Sequence, residues 1–497
     1  MERARHRQSD LKRMVLGVRT IPSLFIALTS YKLLAVLLFM ETFLLPGTFD
    51  LGGLALPACT LLFFACTLVC LLFAVLFRRL TFFDSGWYLG LLTACIVFGV
   101  FLLLLRELGG VGNETLAAVC RGLGIALTAA GLIGVHIEIA RIMGALGMTQ
   151  TLTFGVAAAF AAAVLYLGLA AAPVPQGRWA AVLVLPFVLA AAFQRARQTV
   201  RRSRKTSYGE PEAEVLVPYR FIATSVAQGA AAGLLMALLS SSGTFRPSWA
   251  AAGYLLAAGL TLATVLVCKL DFNRSVYQIG FPLVGLGLLL AGVAGASLET
   301  ASSVLQIAGF LYLDLVLWGL GSYLIKNCGQ PATWVASCPT ASLMAGRTLG
   351  VVLGCAALSL LPDETGRTAI PCVAAFCIVV VALLLSNGEN LRTGWGFVHP
   401  GDPDEDENEL RACQIVAEDF GLTQREFDVL RRIMAGDSRA DVARELFIAP
   451  NTVKTHLHAV YAKLDVHNVH DLRACVNDRG RTFSSSSEND EILENGA

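Results

Sequence analysis

The sequence predicts an all-α protein in two parts. A polytopic bundle of about twelve membrane helices, six plus six, is followed by a small domain of four short helices. Three observations carry this reading. Of 497 residues, 55% are hydrophobic and only 15% charged, against roughly 25% charge in ordinary soluble domains. Long apolar runs fill 22–386, and most of the charge lies outside them. After residue 386 the chain turns polar, and apolar residues then recur at helical spacing over 416–478. This excludes a soluble, disordered or fibrous chain for most of the length. The net charge of +1 identifies no partner.

A membrane helix needs about 20 mostly apolar residues. Runs of that kind lie at 22–44, 53–77, 86–105, 116–137, 151–172, 179–194, 219–240, 249–268, 278–296, 303–325, 345–361 and 369–386. The sixth and eleventh are the shortest. The first is too long for the apolar core of a signal peptide and lacks a small-residue cleavage site after it, so no cleavable signal is expected. Charge then sets the orientation, because cytoplasmic segments are rich in Lys and Arg. The basic N-terminus, 1–21, carries Arg3, Arg5, Arg7, Lys12, Arg13 and Arg19. Every second loop continues the pattern, with Arg78 and Arg79, Arg141, the central loop 195–218, Lys269 and Arg274, and Lys326. Intervening loops are poorer in basic residues. The count fits both termini in the cytoplasm of a bacterial cell, with the bundle in the inner membrane.

The central loop divides the spans six and six. A shift of 190 residues aligns Arg79, Leu80, Phe82, Ser85, Trp87 and Gly90 with Lys269, Leu270, Phe272, Ser275, Tyr277 and Gly280. Two parallel six-helix repeats of this kind resemble the layout of the major facilitator superfamily. Over 77–87 the chain reads FRRLTFFDSGW, which does not match the Gly-, Asp- and Arg-containing loop motif that superfamily often has there.

Polar residues inside spans are costly and mark ligand or proton sites. Arg121 and Asp314 stand out, in the fourth and tenth spans, where they form a conceivable pair. Gln306, His136 and Glu138 are further sensor or ligand candidates, the last two at a cytoplasmic helix end where headgroups would meet them. Lys32 and Glu41 are free to snorkel or to pair. The 13 cysteines form no CxxC pair and have no zinc spacing, and nine lie within apolar runs as small filler. No metal site or cofactor is expected. Without HExxH, Walker or GxSxG motifs, the chain is not expected to be an enzyme.

Residues 387–415 read as an acidic linker containing DPDEDENE, and 479–497 as a disordered tail. Between them the helix punctuation is legible. Thr423 and Glu426 form a capping box, and Gly436 ends that helix. Ser438 with Asp441 opens a short second helix, and a turn over 447–449 leads to Pro450 at the start of a third. Asn468 with Asp471 opens a fourth. In the third helix Val453, Leu457, Val460 and Leu464 make a core stripe. Asn451, Lys454, Thr455 and His458 point away from it, as a helix entering a DNA major groove requires.

The pieces LTQRE, Ala435-Gly436, DVARELFIAPNTVKTHL and VYAKL, in this order and spacing, closely resemble the LuxR-type DNA-binding domain. The resemblance implies a four-helix helix-turn-helix domain, double-stranded DNA as partner, and homodimers. It puts base-edge contacts on Lys454, Thr455 and His458, with Asn451 beside them, and phosphate contacts on Thr452 and Lys463. Dimers would pair through the fourth helix, with Val469, Leu472 and Val476 as candidates. Three positions depart from the family pattern: Ala449 replaces the usual Ser before the proline, Asp465 replaces Gly after the Lys-Leu pair, and Val469 stands where the family often has Arg near the fourth helix. The expected function is a membrane-embedded one-component transcription regulator that senses a small molecule, an ion or the membrane state. A transporter-like protein carrying a regulatory module is the alternative, and a membrane scaffold with a degenerate helix-turn-helix a third reading.

Overall fold

The computed structural model describes residues 21–41, 44–76, 86–107, 113–171, 176–203, 219–243, 245–294, 298–326, 330–386, 407–434, 437–469 and 471–476. The basic N-terminus, Arg78 and Arg79, most of the central loop, 387–406, Ala435-Gly436 and the tail from 477 lie outside them.

Twelve apolar helices are described between residues 22 and 386, one for each expected span. They are α1 Pro22–Phe39, α2 Thr60–Leu76, α3 Gly86–Glu107, α4 Glu114–Leu146, α5 Met148–Ala171 and α6 Gln176–Ser203. After the central loop come α7 Tyr219–Ser242, α8 Pro247–Thr261, α9 Phe281–Ala294, α10 Glu299–Lys326, α11 Ala332–Leu360 and α12 Glu364–Ser386. Wider π-helical turns extend α8 through Leu262–Val267 and precede α9 over Arg274–Gly280. Eleven of these stretches are long and apolar enough to cross a bilayer, and Thr60–Leu76 is a shorter apolar helix. The chain is a multi-pass membrane protein. Exposed Phe64, Leu72, Phe98, Phe160, Phe187, Phe376 and Leu384 cover the outside of the bundle, as lipid tails favour.

Local chemistry sets the ends. Pro22 and Pro247 occupy first-turn positions, where a missing N–H costs nothing. Asn113 caps α4 by accepting from the Thr115 and Leu116 amides. Two differences from expectation have plain causes. The apolar run at 53–59 is not helical. It forms a hairpin, β1 Thr48–Leu51 with β2 Leu54–Pro57, turned by Gly52 and Gly53 at positive φ. The eleventh span begins at Ala332 instead of 345, because Thr333, Ser337 and Thr340 face protein and not lipid.

The two halves meet where α2 packs on α11 and α5 on α8. Within the second half, α7 and α11 make the closest approach. Gly229 and Gly233 of α7 lie against the Leu343 and Arg347 carbonyls, and Gly346 and Gly350 of α11 lie against those of Val226 and Ala230. This is reciprocal small-xxx-small packing, in which the missing side chains let backbones touch.

The C-terminal module comprises α13 Glu407–Asp419, α14 Gln424–Met434, α15 Arg439–Glu445, α16 Pro450–Leu464 and a last helical segment at 471–476. Helix α13 starts inside the stretch expected to be linker. Its Cys413, Val416 and Ala417 are buried and it packs on α14, so the module gains a helix at its N-terminal side.

Candidate DNA-binding face and membrane cavity

The module is built around Phe427, Val429, Leu430, Val442, Val453, Val460, Leu472 and Val476, all fully buried. The capping box is closed: the Thr423 amide donates to Glu426 Oε2 at 2.6 Å and the Glu426 amide to Thr423 Oγ1 at 3.5 Å. Ser438 accepts from the Asp441 amide, and Asn468 from that of Asp471. Helix α16 has no side-chain cap at Ala449 and starts on Pro450.

The expected core stripe, Val453, Leu457, Val460 and Leu464, is buried. Asn451, Thr452, Lys454, Thr455 and His458 are all exposed on one helix. Thr455 Oγ1 donates back to the Asn451 carbonyl at 3.0 Å, and the His458 ring meets Tyr461 edge-on. Lys463 is more committed than expected. Its ammonium donates to the Gly421 carbonyl at 2.9 Å and Glu426 Oε2 at 2.7 Å, which leaves one N–H for a phosphate. Burial tends to raise the Glu426 carboxyl. The hydrogen bonds from Lys463 and Thr423 outweigh it and hold the group below its ordinary value.

One expectation fails here. Leu472 and Val476 sit wholly inside the module core and offer no surface to a partner; Val469 is half-buried. Over the described stretch 471–476 the module core takes the apolar face. Within 471–476, Arg473 and Ala474 are exposed.

Between the membrane halves lies a cavity of about 150 Å³. The sequence candidates divide around it. Asp314 lines it, but its partner is Lys32 of α1, at 2.5 Å, and not Arg121. Arg121 is half-buried near the start of α4 and does not border the cavity. His136 is no headgroup residue, because α4 runs ten residues past it to Leu146. Its Nδ1 bonds the Tyr31 hydroxyl at 3.0 Å and its Nε2 the Thr340 hydroxyl at 3.0 Å. Glu138 is buried beside Arg141 at 3.3 Å, away from the cavity lining. Gln306 borders a smaller adjoining cavity and donates to Ser302. Glu41 is buried with Arg178 at 3.0 Å and accepts from the Tyr166 hydroxyl at 2.5 Å.

The same cavity holds residues that sequence reasoning passed over. Trp318 lies 4.3 Å under the Lys32 ammonium and stacks edge-on to His136. Pro339, inside α11, removes a helix hydrogen bond beside Thr340. Arg347 of α11 is 2% exposed. Its guanidinium donates to the Phe39 carbonyl at 3.2 Å and lies over the Phe63 ring at 4.5 Å. A charged residue flanked by glycines in an apolar stretch was the available signal. Starting the span at 345 put Arg347 near a helix end, where charge is ordinary; in α11 it is mid-helix.

Lys32 to Asp314 and Tyr31 to His136 to Thr340 are therefore side-chain links running between the two halves. At the C-terminal end of α10, the Gln414 amide of α13 donates to the Tyr323 hydroxyl and joins module to bundle.

Fold and site together define a polytopic α-helical membrane protein with a C-terminal helix-turn-helix domain. Residues 421–475 match the model for bacterial regulatory proteins of the luxR family, and the module is a LuxR-type domain. Similar curated proteins include the CsgBAC operon transcriptional regulatory protein of Escherichia coli (strain K12), 42% identical over 60 residues, 12% of this chain and 28% of that protein. The probable transcriptional regulatory protein NarL of Mycobacterium tuberculosis (strain ATCC 25618 / H37Rv) is 51% identical over 45 residues, 9% of this chain and 21% of that one. The chain thus spans about a quarter of the length of these relatives. Among solved structures, a bacterial homologue of the iron transporter ferroportin, in an outward-facing state, shares the membrane fold at a TM-score of 0.51 and 16% identity, covering 75% of this chain and 99% of that one. An auto-inhibited POT family peptide transporter aligns at 0.51 and 12% identity, covering 74% and 96%. The membrane part has a transporter-like fold.

Proposed function

We propose that this chain is a one-component transcription regulator anchored in the bacterial inner membrane, with both termini in the cytoplasm. The observation that carries the reading is the exposed row Asn451, Lys454, Thr455 and His458 on α16 of a LuxR-type domain. Lys454, Thr455 and His458 read base edges, with Asn451 beside them, while Thr452 and the remaining N–H of Lys463 hold phosphates. The basic loop pattern supports a cytoplasmic module. A homodimer on a two-fold operator would pair through the exposed side of the last helix, around Arg473 and Ala474, with Val469 at its edge.

The cavity supplies the input. A ligand shifts the protein between two states only if it binds them with different affinity. Links that run between the halves at the cavity give it that leverage. Helix α10 carries Asp314 and Trp318 at the cavity and Tyr323 nine residues on, about 13.5 Å along the axis, where Gln414 meets it.

The test is enrichment of pooled genomic DNA on full-length protein in nanodiscs at stated salt, beside a Lys454→Ala, His458→Ala variant. Enrichment of a few sites, lost in the variant, supports the regulator; no enrichment by the intact protein overturns it. The buried Lys32–Asp314 pair, on a transporter-like fold, favours a second reading: a transporter with a regulatory module. Saturable, gradient-coupled uptake into proteoliposomes supports that reading, and binding without flux opposes it.

A further inference from the structure

Buried Lys32 and Arg141 and half-buried Arg178 each meet a carboxylate in the bundle. Arg347 does not. Among the described residues its polar contacts are the Phe39 carbonyl and the Met40 sulfur, both reached by one terminal nitrogen. Its Nε–H is buried and reaches no acceptor. Phe39, Phe63 and Phe310 hold the guanidinium at 5.9, 4.5 and 5.5 Å from their ring centres. Aromatic rings hold a cation without using its N–H edge, and that edge is the fork that binds a carboxylate with two parallel hydrogen bonds. A fully buried cation with open donors and no counter-ion is costly unless something supplies the anion. Arg347 borders both the main cavity and the smaller one beside it.

We propose that the cavity takes a small organic acid whose carboxylate binds Arg347 and whose aromatic body lies toward Trp318 and His136. Thr340, which bonds His136, lies seven residues before Arg347 on α11. That is two helical turns, about 10.5 Å, the length of a benzene ring with a short acid chain. The walls between are apolar, with Leu132, Phe310 and Met344 among them. At the far end Lys32 is already neutralised by Asp314, so Arg347 is the group with charge to offer. This assignment rests on the cavity being a ligand site.

The test uses full-length protein in nanodiscs and a series of ω-phenylalkanoates of increasing chain length, each beside its neutral amide. Binding is read from tryptophan fluorescence and from thermal shift. The expected result is that the best acid binds at least about tenfold tighter than its amide. Arg347→Gln removes that preference, and Arg347→Lys keeps part of it, since an ammonium supplies charge without the fork. Equal binding of acid and amide, a preference that survives in Arg347→Gln, or failure of every acid to bind overturns the proposal. If Arg347→Gln does not fold, the acid–amide comparison on the natural protein and on Arg347→Lys decides. DNA enrichment is measured separately, so loss of the regulator reading and loss of this one are distinguishable.

Discussion

Asp465 follows the last residue of α16 with φ 53, in the left-handed region. Its amide donates to the Tyr461 carbonyl, so the backbone shape is needed to end the helix. A glycine would suit this position, and an aspartate is tolerated, since Asp and Asn visit this region more readily than other side chains. Asp465→Gly should stabilise the module by about 0.5–1 kcal/mol, the backbone strain relieved less the entropy glycine loses, read as a rise in its urea midpoint. A fall in that midpoint would show that the Asp465 side chain makes a compensating contact. Glu426 gives a pH signature. Its carboxyl is held below its ordinary value by Lys463 and Thr423 against the opposing effect of burial, so its contribution is complete above about pH 4.3 and is lost as pH falls through the lowered folded value. The stability of the module should drop on that acid limb, and Glu426→Gln should flatten the drop while lowering stability at neutral pH. An unchanged acid limb in the variant would place the coupling elsewhere.

At the scale of elements, α7 and α11 touch backbone to backbone at Gly229, Gly233, Gly346 and Gly350. A Cβ at Gly350 meets the Ala230 carbonyl, whereas one at Gly168 of α5 meets nothing within 4 Å. Gly350→Ala should therefore cost about 1–3 kcal/mol through overpacking, and Gly168→Ala should be neutral or mildly stabilising, as helix propensity dictates. Thermal unfolding in detergent compares the two, and equal behaviour would mean that the bundle re-spaces freely. Hydropathy made all twelve helices legible, because lipid demands one long apolar stretch per crossing. It could not see that Gly52 and Gly53 turn the start of the second run into a hairpin, nor that the polar start of α11 is shielded by neighbouring helices. In the module, the capping box, the Ser438 and Asn468 caps and the α16 stripe were all legible, since each is local chemistry. The burial of Leu472 and Val476 was not. Which face of a helix its own domain claims is decided by tertiary packing, which sequence periodicity does not show. Lys32 with Asp314 was hidden for a related reason: nothing in sequence pairs residues 282 positions apart.

For the whole molecule, the proposed function requires a route from the cavity in the bundle to the domain outside it. Helix α10 is the continuous element between them. Asp314 and Trp318 face the cavity, Ser322 donates to the Met143 carbonyl of α4 at 2.8 Å and accepts from Thr151 of α5 at 2.9 Å, and Tyr323 accepts from Gln414. On the proposed function, a helix tied to the opposite half through Asp314 and Ser322 and to the module through Tyr323 would carry a movement of the halves to the module. Coupling of this kind has to appear as an energy shared between two sites, and it is reciprocal: whatever ligand changes DNA affinity, DNA changes ligand affinity by the same factor. Tyr323→Phe removes the hydroxyl that Gln414 reaches while leaving the ring packed. It should leave ligand affinity in the cavity and operator affinity of the module each within about twofold of the natural protein, and reduce the factor by which one alters the other from a typical 5- to 150-fold toward one. Gln414→Ala should do the same from the other side, and the double variant should do no more than either alone. Binding of operator DNA to full-length protein in nanodiscs, with and without a saturating cavity ligand, measures the factor directly. Full coupling in both variants would mean that the signal leaves the bundle by another route, and α10 would then be only a wall of the cavity.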